Sequence, residues 1–306
     1  MSRLRREPPQ SPRTESGPTA PPEGEHLGSA PDLPVGVGEV RPKGGKGAGM
    51  GRALHLLAPL VLIALILLLW EGACRGLAIP AYILPPPSAV AEAAAANAPL
   101  LLGSAWNTLS MALAALAIAS IVACALALMV SLNGLLDDAV RPIAVALQAT
   151  PIVAIAPQAV IWAGIDHTER AVVGLAALVA FFPIFSGALT GLKAADPDLE
   201  RLFDLYGATR VQRLLRLRLP SAAPFLLEGH KVAAGLAVVG AVVAEFVAGS
   251  GGAQGLAWRI LEAANRLQTA KMFAAVLVLA LMGAGLHALM QIAEREVLAR
   301  WRGRRR

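Results

Sequence analysis

The sequence is short of most of what a soluble enzyme is built from. Charged residues fill 16% of its 306 positions and aromatic residues 5%, with two cysteines and five scattered histidines. Cys74 and Cys124 lie 50 positions apart, so neither a CxxC chelate nor a disulfide framework is on offer, and both read as small apolar fillers. His26, His55, His167, His230 and His287 contain no HExxH pair, which leaves no metal site legible. No GxxxxGK[ST] loop occurs: GGKGAGMG near Gly44 lacks a Ser or Thr after Lys46 and a strand ahead of it. With no phosphate loop, no Ser-His-Asp set and no paired carboxylates, catalysis and bound cofactors are not expected in this chain.

What is present is aliphatic. Hydrophobic residues make up 56% of the chain and its mean hydropathy is +0.60, which places it in a membrane. Runs of Ala, Leu, Val and Ile with few aromatics suit closely packed small-faced helices, so the fold class is all-α. A helix needs about 20 apolar residues to cross the hydrocarbon. Six stretches qualify, near 54–74, 105–130, 140–163, 170–190, 225–248 and 272–291, giving a polytopic protein of six transmembrane helices. The first follows some fifty residues of polar chain, the wrong place for a signal peptide, and reads as an uncleaved span. Pro142, Pro151 and Pro157 in the third and Pro183 in the fourth predict bent or broken helices, which neighbouring helices tolerate and which suit a pathway.

Six crossings put both termini on one side. If that side is the cytoplasm, 22 of the 27 Lys and Arg residues lie inside, leaving Arg75, Arg170, Arg259, Arg266 and Lys271 outside. This asymmetry predicts that both ends are cytoplasmic. Residues 1–52 hold nine prolines and little apolar clustering, the composition of a disordered tail, and 53–306 form the membrane domain. The basic tail and the terminal RWRGRRR read as anchors to the lipid bilayer, not as nucleic-acid binders. On the outer side, ILPPPSAVAEAAAANAP is a stiff proline run followed by a helix former. GLAWRILEAANRLQTAKMF puts Leu256, Ile260, Ala264 and Leu267 on one face, predicting a helix against the outer mouth.

Polar residues inside the spans are Asn107, Thr108, Gln148, Thr150, Gln158 and Glu245. Such groups either line a pathway or bond between helices; Gln148, Thr150, Gln158 and Glu245 are the pathway candidates. Glu245 lies three residues from the outer end of its span, near enough to reach water, and both roles stay open for it.

The loop between the fourth and fifth spans carries four arginines in nine residues, Arg210, Arg213, Arg216 and Arg218. Asp196 followed by Pro197 is a helix start, and Leu199, Leu202, Phe203 and Tyr206 form one apolar stripe before Gly207 supplies a stop. Thr209 with Gln212 predicts a capping box for a second short helix, with Val211, Leu214 and Leu215 on one face and Pro220 closing it. By composition alone, a positive-inside loop resting on headgroups reads equally well.

The spacing decides otherwise. Gly207, nine residues, Leu217, one residue, then Leu219-Pro220 resembles the EAA motif of ABC importer permeases, although Arg201, Leu202 and Phe203 stand where that family has Glu-Ala-Ala. Glu200 and Asp204 are the nearest carboxylates that could replace its glutamate. LPPPSAV, IVAIAPQAVIWAGI, FFPIFSGALTGL and VVAEF are similar to the branch that includes sulfonate, taurine, nitrate and pyrimidine-precursor importers, over about residues 80–300. The resemblance implies a type I importer permease fold in which the loop over 196–220 forms cytoplasmic coupling helices. It implies Asp204, Gly207, Ala208, Arg210, Leu217, Leu219 and Pro220 as the coupling set. It also implies a homodimer, an external substrate-binding protein, and a separate ABC ATPase subunit that binds ATP and magnesium, with the apolar stripe buried in that subunit and arginines steering it from the rim. The alternative is a self-contained secondary transporter or channel, which calls for inverted repeats or buried ion-coupling carboxylates that the sequence does not display.

Overall fold

The structure is a computed structural model that describes residues 48–248 and 254–303. The chain divides into Met1–His55 and Leu56–Arg306. The tail expected to be disordered over 1–52 lies almost wholly outside the described residues, as do 304–306, so the second unit is the subject here.

Helices account for its architecture, and no strand occurs among the described residues. In order they are α1 (Ala48–Gly76), α2 (Pro87–Ala96), α3 (Ala98–Ser131), α4 (Gly134–Ala149), α5 (Ile152–Ala163), α6 (Thr168–Lys193), α7 (Pro197–Leu205), α8 (Arg210–Arg213), α9 (Leu219–Ala248), α10 (Leu256–Asn265) and α11 (Thr269–Gly303). Five are long and apolar enough to cross a membrane, and α4 and α5, which pass the same test only together and are bent by 95°, count as a sixth if the pair is one broken span. On that count the six-span expectation stands, and the break falls in the proline-rich third span. Thr150 and Pro151 are both extended there, Thr150 because a proline disfavours helical backbone in the residue before it.

The bundle closes around α6 and α9, with α3 against α6. Alanine builds this core. Ala112, Ala115, Ala119, Ala123 and Ala127 line one face of α3, and Ala233, Ala234, Ala237, Ala241 and Ala244 line α9; all are 2% exposed or less. In lipid there is no hydrophobic gain in bringing two apolar helices together, so close packing of small residues is what holds them. The contact reaches its limit at Gly187, Gly191, Gly229 and Gly240. A Cβ on Gly229 would sit 2.7 Å from the Pro183 carbonyl oxygen, and one on Gly187 would sit 2.7 Å from that of Phe225.

α1 lies at the edge of the bundle, with Leu60 to Leu69 exposed, an apolar surface of a kind that lipid can cover. It is tied on at one end: Trp70 packs on Phe273 at 5.9 Å between centroids, and Glu71 accepts the Ser88 backbone N–H at 3.0 Å and the Ser88 hydroxyl at 2.8 Å. The Glu71 carboxylate thereby satisfies the otherwise open first turn of α2. At that same end Val90, Leu101, Leu256, Ala274 and Ala275 form a second small core, joining α2 and α10 to α3 and α11.

Candidate functional site

At the opposite end the chain between α6 and α9 folds into the expected jointed pair. Asp196 accepts the Asp198 N–H at 2.8 Å with Pro197 in the first turn, and this cap starts α7. Gly207 has φ +62, a backbone that glycine alone adopts freely. Ala208 donates to the Phe203 carbonyl at 3.0 Å and Gly207 to that of Asp204 at 3.0 Å, which closes α7 as a Schellman turn. The capping box is formed in full: Gln212 N–H donates to Thr209 Oγ1 at 3.2 Å, and Thr209 N–H donates to Gln212 Oε1 at 2.9 Å.

Three features of the hairpin differ from the sequence expectation. Pro220 does not close the second helix. α8 runs through a π-helical turn, Leu214–Arg218, into α9, so Arg210–Ala248 is one continuous rod. The Leu219 N–H reaches back to Leu214, and a widened turn just before a proline accommodates a ring that would clash with the carbonyl four residues back. The same turn splits the expected stripe. Leu214 packs against the core and Leu217 is buried, whereas Val211 and Leu215 stay exposed.

The third difference concerns charge. Arg213 and Arg218 turn inward instead of forming a rim. Arg218 Nε donates to Glu200 Oε1 at 2.7 Å, Arg213 lies 3.3 Å from Glu200 Oε2, and Arg213 also bonds Asp204. Glu200 is therefore a clasp between α7 and the α8–α9 rod, a role sequence reasoning did not give it because nothing local links positions 200 and 218. Turned outward are Leu199, Leu202, Leu205 and Tyr206, the last two 85% and 81% exposed, together with Val211, Leu215 and the side chain of Arg210. Of the coupling set, Gly207 and Arg210 lie on this outer surface, Ala208 is half-buried, Asp204 is tied to Arg213, and Leu217 faces the bundle. Leu219 and Pro220 belong to the rod.

The pathway candidates separate into two groups. Gln148, Thr150 and Gln158 sit around the α4–α5 break and are all exposed, with Thr150 Oγ1 donating to the Ala146 carbonyl at 2.9 Å. Glu245 is elsewhere and does not reach water: it is 2% exposed. Its carboxylate accepts the Thr108 hydroxyl at 2.8 Å and the Ala257 N–H at 3.0 Å, while Thr108 Oγ1 accepts the Leu256 N–H at 2.8 Å. Around them Asn107 Nδ2 donates to the Gln254 carbonyl at 3.2 Å and Arg259 Nε donates to Ser104 Oγ at 3.0 Å. Arg259 also bonds Glu262 at 2.9 Å, and this bond, with the charges of Arg259, Arg266 and Lys271, holds the Glu262 carboxyl below its ordinary range. The helix predicted against this mouth is α10, but its buried face is Leu256, Ala257 and Ala263. Leu267 lies past its end and is 78% exposed. Among the described residues no group of His, Cys, Asp and Glu could hold a metal.

Residues 115–299 match the family described as binding-protein-dependent transport system inner membrane component. The chain is 31% identical to a probable ABC transporter permease protein of Haemophilus influenzae, over 74% of this chain and 90% of that one. It is 31% identical to a formylaminopyrimidine transport permease protein of Halalkalibacterium halodurans, over 76% and 92%. To a riboflavin transport system permease protein of Chloroflexus aurantiacus it is 35% identical, over 79% and 88%.

Proposed function

The chain belongs to the binding-protein-dependent transport system inner membrane components, the permeases of ABC importers, and on that premise we propose that it couples a separate ATPase subunit to a solute pathway through the α7–α8 hairpin. The observation that carries this reading is the uncovered apolar tip of the hairpin, Leu205 and Tyr206, on helices clasped to each other by ion pairs. Glu200 and Asp204 draw Arg213 and Arg218 inward while Arg210 and Arg216 stay exposed, and Leu214 and Leu217 pack inward while Leu205 and Tyr206 project from the clasped pair of helices, so the free surface is apolar at its tip with arginines beside it. Such a surface suits burial in a partner's cleft, and because α8 continues into α9, a push on the hairpin travels along one rod into the bundle core.

The pathway is proposed to lie between two copies. Gln148, Thr150 and Gln158 are open to the surroundings of a single chain, and polar groups at span depth are costly against lipid. A second copy across the α4–α5 face would enclose them. The charge asymmetry of the loops supports a cytoplasmic hairpin and cytoplasmic termini, with α2 and α10 outside, where an external binding protein would deliver the solute. ATP and magnesium belong to the partner. Candidate solutes for assays on that binding protein are formylaminopyrimidine, riboflavin, taurine, aliphatic sulfonates and nitrate.

The test is co-purification of the chain with a co-expressed ABC ATPase subunit. Replacing Leu205 by Glu and Tyr206 by Ala, both outside the bundle core, is expected to abolish recovery of the ATPase while the permease remains in the membrane. Undiminished recovery from the double variant would remove the hairpin from the interface.

A further inference from the structure

The far end of the bundle contains a carboxylate whose use differs from that of a pathway group. α10 begins at Leu256 after Gly255, and its first amides have no partner within the helix. They find partners in two different spans. The Ala257 N–H donates to Glu245 of α9 and the Leu256 N–H donates to Thr108 of α3, while the Thr108 hydroxyl donates to Glu245. Thr108 and Glu245 are 0% and 2% exposed. A buried carboxylate is costly unless its oxygens are bonded. This one is bonded on both oxygens by groups that also need acceptors, and it sits where the helix dipole favours negative charge.

Gly255 completes the arrangement. Its φ of −85 is open to any residue, so the glycine is not there for conformation. A Cβ at this position would meet the Glu245 carboxylate, which would have to swing away from Thr108 and Ala257 to make room. A pathway carboxylate would instead present a free oxygen to a cavity or to water.

We infer that Thr108, Glu245 and Gly255 form a latch that fixes α10 to α3 and α9, so that the outer helix is positioned as an extension of the spans. The three are positioning residues for the mouth. Asn107 to Gln254 and Arg259 to Ser104 add exposed and half-buried contacts around the same joint.

The test needs neither transport nor a partner. A cysteine is placed at Ala257, which is fully buried, and its reaction with a small maleimide is followed in broken membranes by mass spectrometry. Native Cys74, 4% exposed, reports global opening in the same sample. With the latch intact the new thiol is protected. Thr108→Val keeps the shape of the side chain and removes its hydroxyl, and it is expected to raise labelling at 257 by about tenfold or more, the consequence of losing buried hydrogen bonds. Thr108→Ser keeps the hydroxyl and should label like the parent. Gly255→Ala, which forces the carboxylate aside, should behave like Thr108→Val, and Cys74 should stay protected throughout. Unchanged labelling in Thr108→Val and Gly255→Ala would overturn the latch. So would equal exposure of Cys74 and position 257, which would mean that these residues only support the fold.

Discussion

Gly207 shows how much one residue of the hairpin carries. Its φ of +62 lies in the left-handed region, and nothing lies within 4 Å of a Cβ added there, so the cost of a side chain is conformational and not steric. For an ordinary L-residue that cost is roughly 1–2 kcal/mol, about a five- to thirtyfold change in population. Gly207→Val is therefore expected to reduce solute-stimulated ATP hydrolysis of the assembled importer by about that factor. Gly207→Asn, which tolerates this conformation, should stay close to the parent. Equal activity of both variants would separate coupling from the hairpin's angle. At the same scale Glu245 marks a limit of sequence reasoning. Its position three residues from a span end suggested contact with water, whereas its oxygens are committed to Thr108 and the start of α10, 137 and 12 positions away.

Among elements, the pair α6 and α9 sets the stability of the domain. Where van der Waals contact replaces the hydrophobic effect, backbone approach is the stabilising quantity. Gly229→Ala places its methyl 2.7 Å from a backbone oxygen that cannot rotate away. Overpacking of this kind costs about 1–3 kcal/mol, so the detergent-solubilised variant should unfold at a lower temperature. Gly235→Ala, in the same helix with open space around it, should unfold at the parent's temperature or above it, since alanine favours helix over glycine by roughly 1 kcal/mol. A common shift in both variants would point to helix propensity instead of packing. The α8–α9 rod belongs at this scale too. Local rules assign Pro220 to a helix end, but a π turn absorbs it because α9 is held along its length by α6.

For the whole molecule the orientation follows from charge. If six crossings put both termini on the side of the hairpin, 22 of the 27 basic residues of the sequence fall there, and that side is expected to be cytoplasmic. A single cysteine replacing Arg266, in a chain lacking Cys74 and Cys124, should then react with an impermeant maleimide on intact cells, and one replacing Arg210 only after the membrane is opened. The reverse pattern would invert the topology and place the hairpin away from any ATPase.

Composition and hydropathy were enough to establish an all-α membrane protein with six spans, and fixed spacings were enough for the caps at Asp196 and Thr209 and the stop at Gly207. These are legible because each depends on residues within about one turn of one another, or on solvation summed over some twenty. Tertiary structure alone decided which faces are used: that Glu200 clasps Arg213 and Arg218, that Leu205 and Tyr206 stay uncovered, that Pro220 lies inside a rod, and that Glu245 caps α10. The clasp and the cap bring together groups from separate helices, and the other two depend on what packs, or does not pack, against a face. In an alanine-rich bundle where every face of a helix is equally apolar, periodicity carries no record of which side meets a neighbour.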